Sequence, residues 1–177
     1  MNQDMKKMKT RYWYGQSIKN PQKVLAAFFD FQDLNSAINF IASICTYAST
    51  HQKYQPSNTA MCILNVFALQ SLLVCCHNLL NTKDWPDYFN KLLLQKMDAN
   101  QAMTTKDTVM KAMYATYNMY TLKNWRQQLF EILCDALWDK IDDIDYNVTL
   151  IYLRLSDFLN AAHMVHKCIN ENKKAPN

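Results

Sequence analysis

The apolar residues of this chain fall into helical stripes, and two segments break that pattern by being apolar on almost every side. The stripes predict helices at about 21–30, 34–50, 58–81, 85–97, 105–119, 122–138 and 147–169. Residues 61–80 and 148–165 are the two segments without a polar face. A helix of that kind has to be surrounded by other helices. Capping chemistry supports the starts. Asn20 precedes Pro21, which suits a first helical position, and Asp33, Asp84, Thr121 and either Thr104 or Thr105 stand where an N-cap is needed. Asn81, Asn100 and Asn170 are the candidates for the left-handed residue that ends a helix.

An internal repeat is the most informative pattern. The run Leu25-Ala26-Ala27-Phe28-Phe29-Asp30-Phe31-Gln32-Asp33-Leu34 aligns with Met113-Tyr114-Ala115-Thr116-Tyr117-Asn118-Met119-Tyr120-Thr121-Leu122. The register carries Ile41, Ile44 and Cys45 onto Leu129, Ile132 and Leu133. After a slightly shorter loop it carries Leu64, Leu69, Leu72, Leu73, Cys76 and His77 onto Leu150, Leu155, Phe158, Leu159, Ala162 and His163. The expected fold is therefore an all-α bundle of about seven helices, made of two diverged three-helix repeats around two central apolar helices. Repeat one spans about 21–81, a bridging helix about 85–97, and repeat two about 105–169. All of it belongs to one helical domain, 21–170, between an N-terminal arm (1–20) and a C-terminal tail (171–177).

Composition narrows the classes. The chain contains one glycine, Gly15, and four prolines. Hairpin turns, phosphate-cradling loops and dinucleotide-binding turns all need glycine, so β folds, P-loops and Rossmann sites are excluded. Half of the residues are hydrophobic, as a packed core requires. No apolar run follows the basic N-terminus as in a secretory signal. The segment 61–80 is broken by Asn65, Gln70, Ser71, His77 and Asn78, so a core helix is expected there and no membrane span. Six cysteines sit within apolar patterns and none forms a C-x-x-C pair, which fits reduced core thiols in a cytoplasmic setting.

Candidate chemistry is sparse, and neither a catalytic residue nor a cofactor is indicated. His77 and His163 hold equivalent repeat positions, where they would form a paired-histidine site or serve as two separate core histidines. His163 and His166 lie one turn apart, yet the chain's only glutamates are Glu131 and Glu171 and no Glu-x-x-His occurs, so no metal site is expected. The acidic run from Asp139 to Asp145 lacks the glycine and the closing glutamate of a calcium loop. Arg126 and Arg154 lack the following histidine of helical ribonucleases. The arm interleaves Lys6, Lys7, Lys9 and Arg11 with Tyr12 and Trp13, cations for phosphates and rings for unpaired bases. A net charge of +4 does not decide between that role and a solubilising tail. Trp85, Tyr88, Trp125 and Trp138 lie near helix ends or beside polar residues, as interface aromatics or as edges of the core, with Trp85, Tyr88 and Trp125 the expected interface set.

The segment Phe28-Phe29-Asp30-Phe31-Gln32-Asp33-Leu34, with Cys75-Cys76-His77-Asn78-Leu79-Leu80 two helices on, is similar to small uncharacterised all-helical proteins of Bacteroidales mobile elements. So are Leu122-Lys123-Asn124-Trp125-Arg126 and Leu159-Asn160-Ala161-Ala162-His163-Met164-Val165-His166. The resemblance spans most of 21–169. It implies a bacterial, cytoplasmic protein and carries no catalytic residue. The functional expectation is a non-enzymatic module that binds a protein partner or itself. Two alternatives stand beside it: a nucleic-acid-binding accessory protein using the basic arm, and an enzyme with a site near the paired histidines.

Overall fold

The computed structural model describes residues 21–50, 52–138 and 147–172, and among these every regular element is α-helical. Seven helices follow in order: α1 (Pro21–Phe31), α2 (Leu34–Thr50), α3 (Thr59–Leu80), α4 (Trp85–Leu94), α5 (Ala99–Met119), α6 (Leu122–Leu137) and α7 (Val148–Asn172). Side-chain caps explain several of these starts. Asp33 accepts from the Ser36 amide at 2.9 Å, and Thr121 accepts from the Asn124 amide at 3.2 Å. Asn58 and Asn147 do the same for Met61 and Leu150, so asparagine opens both long apolar helices.

Two boundaries differ from the sequence reading. Helix α5 begins at Ala99, not near 105, because Asp98 caps it by accepting from the Gln101 amide at 2.9 Å. Thr104 therefore lies inside the helix, its hydroxyl turned back onto the Asn100 carbonyl. Asn100 cannot end α4, and Asn170 lies within α7. Asn81 does follow α3, but its φ of −85° is not left-handed. It closes the helix instead by donating its side-chain amide to the His77 carbonyl at 2.7 Å.

The packing corrects the expected centre. Helices α3 and α7 make no extensive contact with each other; α2 and α6 pair across the middle instead. Helix α7 lies on α2 and α5, with further contacts to α1 and α4, while α3 lies on α1 and α6. Each long apolar helix thus packs on the first helix of its own half and the second helix of the other half. Helix α4 rests mainly on α5 and α7 and touches α3 less.

One core runs through all seven helices. It includes Leu25 and Phe28 from α1, Ile41 and Ile44 from α2, Leu69, Leu72 and Leu73 from α3, and Phe89 from α4. Met113, Trp125, Leu129, Phe158 and Leu159 complete it from α5, α6 and α7. Trp125 is fully buried, and its indole N–H donates to the Thr116 carbonyl at 2.8 Å. That bond ties the first turn of α6 back to the end of α5, and the Tyr120 ring packs edge-on against the indole. Trp138 lies just past the other end of α6 and is 59% exposed. Trp125→Ala is expected to cost about 3–5 kcal/mol in a urea-unfolding experiment. Trp138→Ala is expected to change stability by no more than about 0.5 kcal/mol. Equal losses at the two positions would contradict this packing.

Candidate functional site

The residues singled out from the sequence do not gather into one site. Lys6, Lys7, Lys9, Arg11, Tyr12 and Trp13 lie outside the described residues, as does the acidic run 139–145. Trp85 and Trp125 are core residues, 4% and 0% exposed, and cannot form an outer surface. Each stands at a helix start whose first turn points inward: Trp85 stacks on Phe89 with ring centroids 5.6 Å apart, and Trp125 is held by Thr116. Position near a helix end says nothing about which way that end faces. Only Tyr88 of the three expected interface aromatics is exposed, at 42%.

His77 and His163 each meet a different ring. His77 packs edge-on against Tyr117 at 5.2 Å, and His163 packs on Phe29 at 5.0 Å. The rings correspond just as the histidines do: Phe29 and Tyr117 align in the internal match, as do His77 and His163. Each pair joins a helix of one half to a helix of the other. The Tyr117 hydroxyl also donates to the Leu73 carbonyl at 2.7 Å, and burial pushes its pKa well up. Phe29 further contacts His166 at 5.0 Å, and the imidazoles of His163 and His166 stack at 6.4 Å.

This arrangement is poor in reactive groups. Among the described residues no three histidine, cysteine, aspartate or glutamate side chains converge as a metal site would need. All six cysteines are thiols outside any disulfide, and burial pushes Cys45 up to about 12. A thiol held that far from ionisation is a weak nucleophile. The Cys75 thiol serves a structural purpose, donating to the Pro21 carbonyl at 3.0 Å and so pinning the start of α1 to α3.

The feature that does stand out is an apolar surface on the first half of α3. Met61, Leu64 and Phe67 are all exposed, Phe67 at 43%, with Ile63 beside them. Leu64 and Phe67 share a helix face with Ala60 and Ser71. Gln70 donates to the Arg126 carbonyl at 3.3 Å, and Thr59 shares a small pocket with Leu137 and Trp138. Helices α3 and α6 are therefore antiparallel, with Phe130 of α6 at the level of Phe67. Phe130 is 49% exposed on this neighbouring helix. Helix α1 has 11 residues against the 22 of α3 and starts beside Cys75, so it lies along only part of α3.

Nothing in the residue pattern marked this surface, because an all-round apolar helix looks the same whichever of its faces the neighbours cover. Helix α3 is also long and apolar enough to cross a membrane by length and composition, with half of that stretch buried. The same exposure recurs on α7, where Leu150 and Leu153, the counterparts of Leu64 and Phe67, face outward.

No family model matches the chain, and neither the curated proteins nor the solved structures contain a match. The surface is therefore interpreted from its own chemistry.

The two histidines give stability a defined pH dependence. Burial lowers both pKa values from the usual 6.5, and Lys167 adds to the effect at His163. The unfolded chain then takes up protons first as pH falls below about 6.5, so the contribution from these residues is complete above that value and declines below it. The urea midpoint is expected to be lower at about pH 5.5 than at about pH 7.5. Replacing both residues (His77→Gln with His163→Gln) is expected to shrink that difference; an unchanged slope would show that these imidazoles do not set it.

Proposed function

We propose that this chain is a helical interaction module, not an enzyme, and that the first half of α3 with Phe130 of α6 receives a protein partner. The observation that carries the proposal is the exposure of Met61, Leu64 and Phe67 along the first half of α3, with Phe130 exposed on the helix packed beside it. Scattered exposed apolar side chains are ordinary, but adjoining large ones with two aromatic rings are the composition of a recognition surface. A rigid two-helix platform also presents them with little ordering cost on binding. The buried thiols and the ring-packed histidines leave the apolar face as the stronger basis for function.

We also infer that the chain is an ancient duplication of a three-helix unit. Three observations support this. The junctions α1–α2 and α5–α6 fall at corresponding residues, each capped at the same position, by Asp33 and by Thr121. The contacts come in matched pairs: α1 with α3 and α5 with α7, then α3 with α6 and α7 with α2. The two histidine–ring pairs also correspond. On this reading Leu150 and Leu153 are the duplicate of the α3 surface. Helix α2, beside α7, carries Ala42 where α6, beside α3, carries Phe130, so the duplicate is the smaller of the two.

A photo-crosslinking amino acid placed at Leu64 tests the binding proposal, with the same probe at exposed Asn39 of α2 as control. The expected result in cell extract is a discrete protein adduct from position 64 that disappears with Phe67→Asp and is absent from position 39. An adduct of doubled mass would identify a second copy of the chain as the partner. Equal labelling from both positions, or recruitment of the protein to lipid vesicles through the same face, would overturn the proposal. Circular dichroism of Phe67→Asp should remain helical, because the side chain lies outside the core.

A further inference from the structure

A second feature lies away from the apolar face. Helices α5 and α7 are antiparallel, with the Thr116 hydroxyl 3.5 Å from the Arg154 carbonyl near one end of their contact. Along the outer side of that contact, small residues at Ala112, Ala115 and Ala161 hold the helices' side chains apart. A groove of about 510 Å³ is left between them. Its floor is apolar, made by those alanines with Val109 and Met164, and its walls carry Lys111, Arg154 and Asp157.

The charges define what the groove can take. Lys111 stands on α5, and Arg154 and Asp157 stand one turn apart on α7. Among the described residues neither Lys111 nor Arg154 forms an ion pair, although Asp157 lines the same groove and Arg154 is half-buried. Two cations and one carboxylate leave a single positive charge. The groove therefore matches one negative charge, not the two of a phosphate monoester. The planar guanidinium of Arg154 suits the two oxygens of a carboxylate. The remaining length is largely alanine, valine and methionine, with Asn160 donating its amide to the Ser156 carbonyl at 2.9 Å. Thr104 and Thr108 contribute no free hydroxyl donors there, since both donate to carbonyls one turn back in their own helix, at 2.9 and 2.8 Å.

We propose that the α5–α7 groove binds an amphipathic monocarboxylate, its carboxylate between Arg154 and Lys111 and its hydrocarbon chain along the alanine floor. The ligand class is an unbranched, medium-length fatty acid anion or a carboxylate of similar shape. The site is independent of the α3 surface. Leu64 and Phe67 lie on a helix that does not line the groove.

Isothermal titration calorimetry with decanoate, decylamine and 1-decanol, each below its micelle or solubility limit, tests the proposal on the full chain. Decanoate is expected to bind once per chain, with decanol weaker by at least about tenfold and decylamine silent. A charge-assisted hydrogen bond accounts for a factor of that size. Arg154→Gln is expected to weaken decanoate by about tenfold or more on the same grounds. Filling the groove with Ala112→Leu should weaken decanoate and decanol together. Leu64→Asp is the control that separates this groove from the apolar face of α3, and it should leave decanoate binding unchanged. Circular dichroism of each variant establishes that it remains folded. Decylamine binding as tightly as decanoate, loss of binding with Leu64→Asp, full affinity in folded Arg154→Gln, or no decanoate heat in the millimolar range would each overturn the proposal.

Discussion

Helices α3 and α7 bear more apolar surface than any single neighbour can cover, and the rest of the fold follows from how that surface is shielded. Pairing the two with each other would have hidden one side of each and left the others in water. Instead each is wedged between two other helices, its own half's first and the other half's second. Leu69, Leu72, Leu73 and Leu79 on α3, and Leu155, Phe158, Leu159 and Val165 on α7, are all buried by this exchange. Neither half could cover its own long helix alone. The two halves are therefore expected to fold together, since separating them would expose both long helices at once.

The hydrogen bonds that matter most sit where the halves and helices are joined. Trp125 donates to Thr116 across the α5–α6 turn, Tyr117 donates to Leu73 between α5 and α3, and the Cys75 thiol donates to Pro21 between α3 and α1. Each takes a backbone carbonyl near a helix end or in a tightly packed region and satisfies it from a largely apolar side chain. Such groups pack as hydrophobes over most of their surface and still meet the hydrogen-bonding requirement of a buried carbonyl. They hold the junctions in place without bringing charge into the core.

Surface and groove both lie where neighbours leave part of a long helix uncovered. Met61, Leu64 and Phe67 stand exposed on the first half of α3. Helix α5, at 21 residues, is long enough to lie along most of α7, but small side chains where the two meet leave a groove between them. One half thus offers a broad apolar face and the other a narrow channel with a charged wall.

Several features were legible in the chain itself. The near-absence of glycine, the stripe periodicity and the caps at Asp33 and Thr121 determined an all-α fold and most helix boundaries, because these depend on local backbone chemistry. The correspondence of His77 with His163 and of Phe29 with Tyr117 was also present in the residue pattern. What the pattern could not contain was direction. Trp85 and Trp125 sit at helix starts that turn inward, so they are core and not interface, while Phe67 and Phe130 lie in apolar runs and are exposed. Asp98 outcompeted Thr104 and Thr105 as the cap of α5, a choice between neighbouring candidates that only the folded turn makes. Which helices meet, and therefore which apolar residues stay in water, is set by the exchange of partners between the halves. That is a property of the assembled bundle, and no single segment encodes it.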